Sequence, residues 1–216
     1  MNRDSDDGPG ELSRRADRFV RVHGFRAASP GFARHRRHWQ ERGVPDAEIE
    51  RAGAFDDRWG GLVLPPAPVY EGGPRMFGPD MLEEAPSGGW WFEAGDQRTS
   101  VAFSFQVGPG GEFGIFGHHW VPLHASVEGW VESVAPARHA ALRAQQITKV
   151  TGPDVAALDL GRHEPVPEVA GLADQWWRGP DSLIAVHTGE AEAFARPGYV
   201  SAVVYSGLDD WGLRGG

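Results

Sequence analysis

Residues 111–131 concentrate the side chains best able to do chemistry: His118, His119 and His124, with Glu112 just before them. Three imidazoles and a carboxylate are raw material for a zinc site, which needs three or four donors converging at about 2 Å. A metal-dependent hydrolase is the activity such a set would serve. The spacing matches neither His-Glu-x-x-His nor another recognised ligand pattern. On a strand His119 and His124 point to opposite faces, although Pro122 and the turn between them can break that alternation. The stretch reads better as a hairpin leading into a capped helix, with its histidines at turns and strand ends.

Other candidates are weaker. Ser126 and His124 suggest a nucleophilic triad, but Gly-x-Ser-x-Gly is absent and Ser126 already suits a helix cap. Residues 108–114, Gly-rich, resemble a phosphate loop, but a strand follows them where a helix N-terminus is required. His35 and His38 sit in an Arg-rich run that reads as a solvated helix face. The carboxylate pairs Asp56-Asp57, Glu83-Glu84 and Asp209-Asp210 are adjacent in sequence and do not face one another. Lys149, the single lysine, has no neighbour that marks a Schiff-base site.

The tryptophan doublets Trp90-Trp91 and Trp176-Trp177 are the remaining signal. In extended chain one ring of each doublet points inward and the other outward. Outward tryptophans suit protein interfaces or sugar platforms, so these four are the candidate partner-facing residues.

Composition narrows the field. The 216 residues contain no cysteine, which removes disulfides and thiolate chemistry. No apolar run approaches the ~20 residues of a membrane span, and no apolar signal core opens the chain. Net charge is −9, which disfavours nucleic acid as a partner. The charge is uneven: residues 1–42 hold ten arginines against six acids, and the remainder is strongly acidic. Whether Arg14, Arg15, Arg18 and Arg21 form a functional face or only coat a helix stays open.

The elements that must position these groups follow from periodicity. Residues 1–10 read as a disordered tail. Leu12, Ala16, Phe19 and Val20 predict a helix closed by Gly24, and Ser29-Pro30 starts a second with Phe32 and Trp39 on one face. Asp46 is expected to cap a third helix, whose stripe is Ile49, Ala52, Phe55 and Trp59. Short strands are predicted at 62–64, 69–70, 75–77 and 90–93, with 78–89 a loop. The best strand is 99–107, followed by strands at 112–116 and 120–123. A helix capped by Ser126 buries Val127, Trp130, Val131 and Val134, is ended or kinked at Pro136, and continues as helix over 137–146. A helical turn spans 151–158, and 170–177 is ambiguous. Strands at 182–186, 190–194 and 202–205 form a meander, and Trp211 docks the tail.

Two passages resemble the SUKH superfamily, the Smi/Knr-like group that includes bacterial toxin-immunity proteins, over residues ~19–140. The first is Phe55-Asp56-Asp57-Arg58-Trp59-Gly60-Gly61-Leu62, a helix entering an aromatic-Gly-Gly-Leu turn. The second is residues 110–115 followed by Val121-Pro122-Leu123-His124-Ala125-Ser126-Val127-Glu128, similar to the family's ending of two strands and a Ser-led helix. The resemblance is closest to the third SUKH family. The run Pro65-Pro66-Ala67-Pro68 and the extension after residue 150 depart from the pattern.

The resemblance implies helices around a sheet and a non-enzymatic binder that neutralises a toxin domain. The expected fold is α+β, with a mixed or mostly antiparallel sheet flanked by helices and a β-rich C-terminal extension. Residues 11–150 form the SUKH-like domain and 151–216 the extension packed on it. The expected function is a cytoplasmic protein-binding module without a cofactor, nucleic-acid partner or membrane contact. Catalytic and cofactor residues are not assigned. The alternatives are a metal-dependent hydrolase using Glu112, His118, His119 and His124, or a carbohydrate-binding module using the tryptophans.

Overall fold

The first helix, α1 (Arg14–His23), starts at Ser13, whose hydroxyl accepts from the Ala16 N–H at 3.2 Å. A computed structural model describes residues 11–28, 32–85 and 88–214; the expected tail at 1–10 and the Ser29-Pro30 helix start lie outside them. After the short strand β1 (Phe25–Arg26), α2 (Phe32–Glu41) buries Trp39 and α3 (Asp46–Trp59) buries the expected stripe. Asp46 is not the cap: Pro45 holds that position, and no side chain bonds the first turn. The Asp46 carboxylate instead favours the positive end of the helix dipole. Strand β2 (Leu62–Val63) then pairs antiparallel with β1.

Five strands follow as an antiparallel meander in chain order: β3 (Pro74–Glu84), β4 (Trp90–Gln97), β5 (Ser104–Val107), β6 (Phe113–Phe116) and β7 (Trp120–His124). Most of the expected loop at 78–89 is therefore strand. β3 lies at the sheet edge and takes up its Gly and Pro residues in register shifts against β4, which is where prolines are tolerated in a sheet. The expected strand 99–107 shrinks to Ser104–Val107. Residues 98–103 instead connect β4 to β5, and there the Arg98 guanidinium donates to the carbonyls of Gly72 and Leu64.

Helix α4 (Val127–Ala141) is capped by Ser126, whose hydroxyl accepts from the Gly129 N–H at 3.3 Å. It is buried almost throughout because both halves of the molecule pack on it. Val127, Trp130, Val131 and Val134 join the core of the first sheet, and Ala137 and Ala140 join that of the second. Pro136 lies inside the helix and does not end it. Glu132, nearly enclosed, accepts from the Ser13 N–H at 2.5 Å and the Ser13 hydroxyl at 2.8 Å, which fixes α1 against α4.

The helix stops at Ala141; residues 142–145, expected to prolong it, form a turn, and Gln146 begins the second sheet. That sheet comprises β8 (Gln146–Thr151), β9 (Glu164–Pro165), β10 (Asp174–Arg178), β11 (Ser182–His187) and β12 (Ser201–Ser206), with α5 (Gly189–Ala193) between the last two and α6 (Asp210–Arg214) after them. The strand order is β8-β12-β11-β10-β9, antiparallel throughout. The expected strand 190–194 is the helix α5: the run Glu-Ala-Glu-Ala favours helix over strand. Trp211 docks through its carbonyl, which accepts from the His139 imidazole at 2.9 Å. The fold is thus α+β, with antiparallel sheets, flanking helices and a β-rich C-terminal region. Among the described residues no helix is long and apolar enough to cross a membrane.

Replacing the α4 cap tests this frame. Ser126→Ala should lower unfolding stability by about 1 kcal/mol and Ser126→Gly by only a few tenths, read by urea denaturation. Equal losses would mean that the cap hydrogen bond is not what Ser126 supplies.

Candidate functional site

Where β7 and β10–β11 meet, one carboxylate collects the polar groups of several elements. Asp174 is 1% exposed. Its Oδ1 accepts from the Tyr70 hydroxyl at 2.8 Å and from the N–H groups of Thr188 and Gly189 at 3.2 and 3.4 Å. Its Oδ2 accepts from His187 Nδ1 at 2.9 Å. The strands explain the meeting: Asp174 and His187 are direct partners across β10 and β11, so their side chains share a face. Burial by itself would push the Asp174 carboxyl up, but the His187 charge and hydrogen bond, helped by His124 and Tyr70, hold it below the ordinary value. Tyr70 is pushed well above its ordinary value by burial and by the adjacent carboxylate.

Gly189 is required at the first residue of α5. A β-carbon there would lie 2.1 Å from Leu123 Cδ2 and 2.5 Å from the Tyr70 hydroxyl. Tyr70 itself is delivered by a strained turn. Tyr70 and Glu71 have φ of 53° and 50°, followed by positive φ at Gly72 and Gly73. Left-handed backbone costs a residue with a β-carbon roughly 1 kcal/mol or more. The turn is held by the Gly72 N–H donating to the Val69 carbonyl at 3.1 Å and by the Gly73 N–H donating to the Tyr70 carbonyl at 2.9 Å.

Above this cluster lies a polar cleft of about 350 Å³, lined by Tyr70, Glu71, Lys149, His187, Glu190 and Tyr199, among others. With Nδ1 on Asp174, His187 turns its Nε2 away from the carboxylate, and that nitrogen has no partner although the residue is 7% exposed. Ser201 faces His187 across β11 and β12 but makes no hydrogen bond to Nε2. The pair is therefore not assembled to activate that hydroxyl. The Glu190 carboxyl is pushed up by burial and then by Glu71 and Asp174, with Lys149 pulling the other way. Carboxylates set against carboxylates favour a cationic group brought from outside.

The sequence-based candidates are distributed differently. Glu112, His118 and His119 line a shallow groove with Trp91 and Trp120. Glu112 accepts there from the Gly110 N–H at 3.1 Å, and the His118 ring meets Phe194 edge-on at 5.2 Å. His124 does not join them. A register shift between β6 and β7 places it opposite Phe113, on the face that packs against α4, where it is fully buried. The proposed metal set is thus split across the sheet, and among the described residues no group of three or more His, Asp or Glu could hold a metal ion. Trp91 is covered by Phe116 and Trp120, and Trp176 stacks on Tyr205 at 6.1 Å; Trp90 and Trp177 are half-buried.

Comparison with known proteins finds no matching family model, no significantly similar curated protein and no significantly similar solved structure. The site therefore has to be read from its own geometry. Sequence reasoning missed Tyr70, Glu71, Asp174, His187 and Glu190 as a group. Asp174 lies in the ambiguous segment 170–177, and His187 falls between the expected strands 182–186 and 190–194; no spacing ties residues 70, 174 and 187 together.

His124 supplies a pH test. Its Nδ1 donates to the Val169 carbonyl at 3.1 Å, which leaves Nε2 unprotonated and enclosed. Burial pulls its pKa down to about 4, against an upward pull from Asp174. Because this lies below the ordinary 6.5, the unfolded chain takes up the proton first on acidification. Stability is full above pH 6.5 and falls as pH drops toward 4, by at most about 1.4 kcal/mol per pH unit. The Asp174 contribution is lost only below that carboxyl's ordinary 3.8, so the two windows are separate. His124→Gln keeps a donor for Val169 without the titration and should flatten stability between pH 6.5 and 4. Asp174→Asn should destabilise by about 3–5 kcal/mol at neutral pH, as expected when one member of a buried pair is removed.

Proposed function

We propose that this chain is a non-enzymatic protein-binding module of the SUKH immunity type, which takes a basic patch of a toxin domain against its acidic cleft. The observation that carries the reading is the cleft: Glu71 and Glu190 line it with Lys149 as the one lysine beside them, and Glu190 is repelled both by Glu71 and by the buried Asp174 beneath. An arginine or lysine side chain of a partner would offset the carboxylate repulsion at Glu71 and Glu190. The strained Tyr70–Glu71 backbone supports the same reading, since strain is kept where a surrounding structure holds a functional group in place. The order β6, β7 and Ser-capped α4 agrees with the ending that the SUKH resemblance implies. The acidic body suits a partner whose own surface binds nucleic acid, because such surfaces are basic.

Two measurements test this reading. A hexa-arginine peptide titrated calorimetrically into the full chain should bind, weaken with added salt and lose about tenfold or more in affinity with Glu71→Gln/Glu190→Gln. Co-expression with a toxin domain encoded beside its gene should protect the host, and the double variant should protect less. Absence of both protection and a stoichiometric complex sinks the proposal. Glu71→Gly should raise stability by up to about 1 kcal/mol while weakening the peptide, because the left-handed strain is relieved and the carboxylate is lost.

A further inference from the structure

On α1 the structure separates the arginines whose role the sequence left open. Arg15 and Arg18 line a groove with Arg138 of α4 and Arg143 of the turn after it, and Trp211 of α6 forms part of its wall. The groove has a volume of about 240 Å³ and an apolar lining that includes Phe19, Val22 and Leu142. Three of its residues are large apolar side chains left open to solvent: Val22 at 64%, Leu142 at 64% and Trp211 at 40%. Arg18 lies over the Trp211 ring at 5.9 Å. None of Arg18, Arg138 and Arg143 forms an ion pair with a described carboxylate. Arg15 is 9% exposed and its Nε has no hydrogen-bond partner; burial pulls its pKa down, against an upward pull from Glu132 and Glu168.

We propose that this groove docks an acidic amphipathic helix of a partner protein. Guanidinium groups come from the helices on both sides, and the surface between them is apolar. The complementary shape is a rod with an apolar stripe flanked by carboxylates, as in helix-in-groove recognition. The chain as a whole carries −9, so a localised basic groove selects a short acidic segment and not an extended polyanion. A bilayer fits less well: the apolar residues line a concavity, whereas interfacial anchors project their apolar face outward into lipid. This surface is made by α1, α4 and α6, and its residues are distinct from those of the acidic cleft, so it would take a partner of opposite charge.

The test uses the full chain and a fluorescein-labelled helical peptide of about five turns, with leucines every third or fourth residue flanked by glutamates. Fluorescence anisotropy should show saturable binding. Affinity should fall about tenfold or more with Arg18→Glu/Arg138→Glu, with Leu142→Ser and with a peptide of the same composition but scrambled leucines. Arg18, Arg138 and Leu142 are exposed, so thermal melting should leave the fold of these variants unchanged. Binding that survives the charge reversal, or that ignores the leucine order, overturns the proposal. So does retention on phosphatidylglycerol vesicles without peptide binding, which would assign the groove to lipid.

Discussion

A single buried carboxylate sets the terms for much of this molecule. Asp174 is enclosed, and an enclosed charge is tolerated only where donors surround it. Here the donors come from the turn at Tyr70, the end of β11 and the first residues of α5. Each of these segments lies where it does partly because the carboxylate requires it. The turn accepts left-handed backbone at two residues with β-carbons, and α5 begins on a glycine because nothing larger fits beside Tyr70. The two sheets are also joined at the end of β7, where the Ala125 N–H donates to the Ala170 carbonyl and the Leu172 N–H to the Leu123 carbonyl.

Helix α4 complements that polar junction with an apolar one. Its Trp130 meets Phe105, Phe113, Tyr70 and His124, so the same helix packs the first sheet and covers the side chains next to Asp174. Its far end, through Arg138, helps to line the basic groove, and the turn that follows adds Leu142 and Arg143. One helix therefore contributes to the core and to a surface of charge opposite to the chain's own. The acidic cleft and the basic groove share no lining residue, which lets the two surfaces act on different partners.

Much of the first half of the fold is legible in the sequence. The stripe Ile49, Ala52, Phe55 and Trp59, the Ser126 cap and the apolar face of α4 are local patterns, and local patterns survive folding. Where the structure differs, strand pairing or a local preference that alternation conceals is the cause. Residues 78–84 look like loop by composition but are strand because β4 pairs with them at an edge that tolerates proline. Residues 190–194 look like an alternating strand, but the helix α5 (Gly189–Ala193) takes up most of them. The histidine cluster misled for a similar reason, since a one-residue shift between β6 and β7 moves His124 away from His118 and His119.

The sequence by itself determined the α+β character, the acidic balance, the absence of cysteine chemistry and the helices that frame the first sheet, because each depends on composition or on short-range periodicity. It could not locate the site. Residues 70, 174 and 187 become neighbours only when β10 and β11 pair in register and the strained turn swings Tyr70 onto the same carboxylate. The basic groove has the same origin: α1, α4 and α6 are remote in sequence, and only packing brings Arg15, Arg18, Arg138 and Trp211 around one apolar lining. Long-range register and helix packing, which no local window contains, turned scattered charged residues into two surfaces of opposite sign.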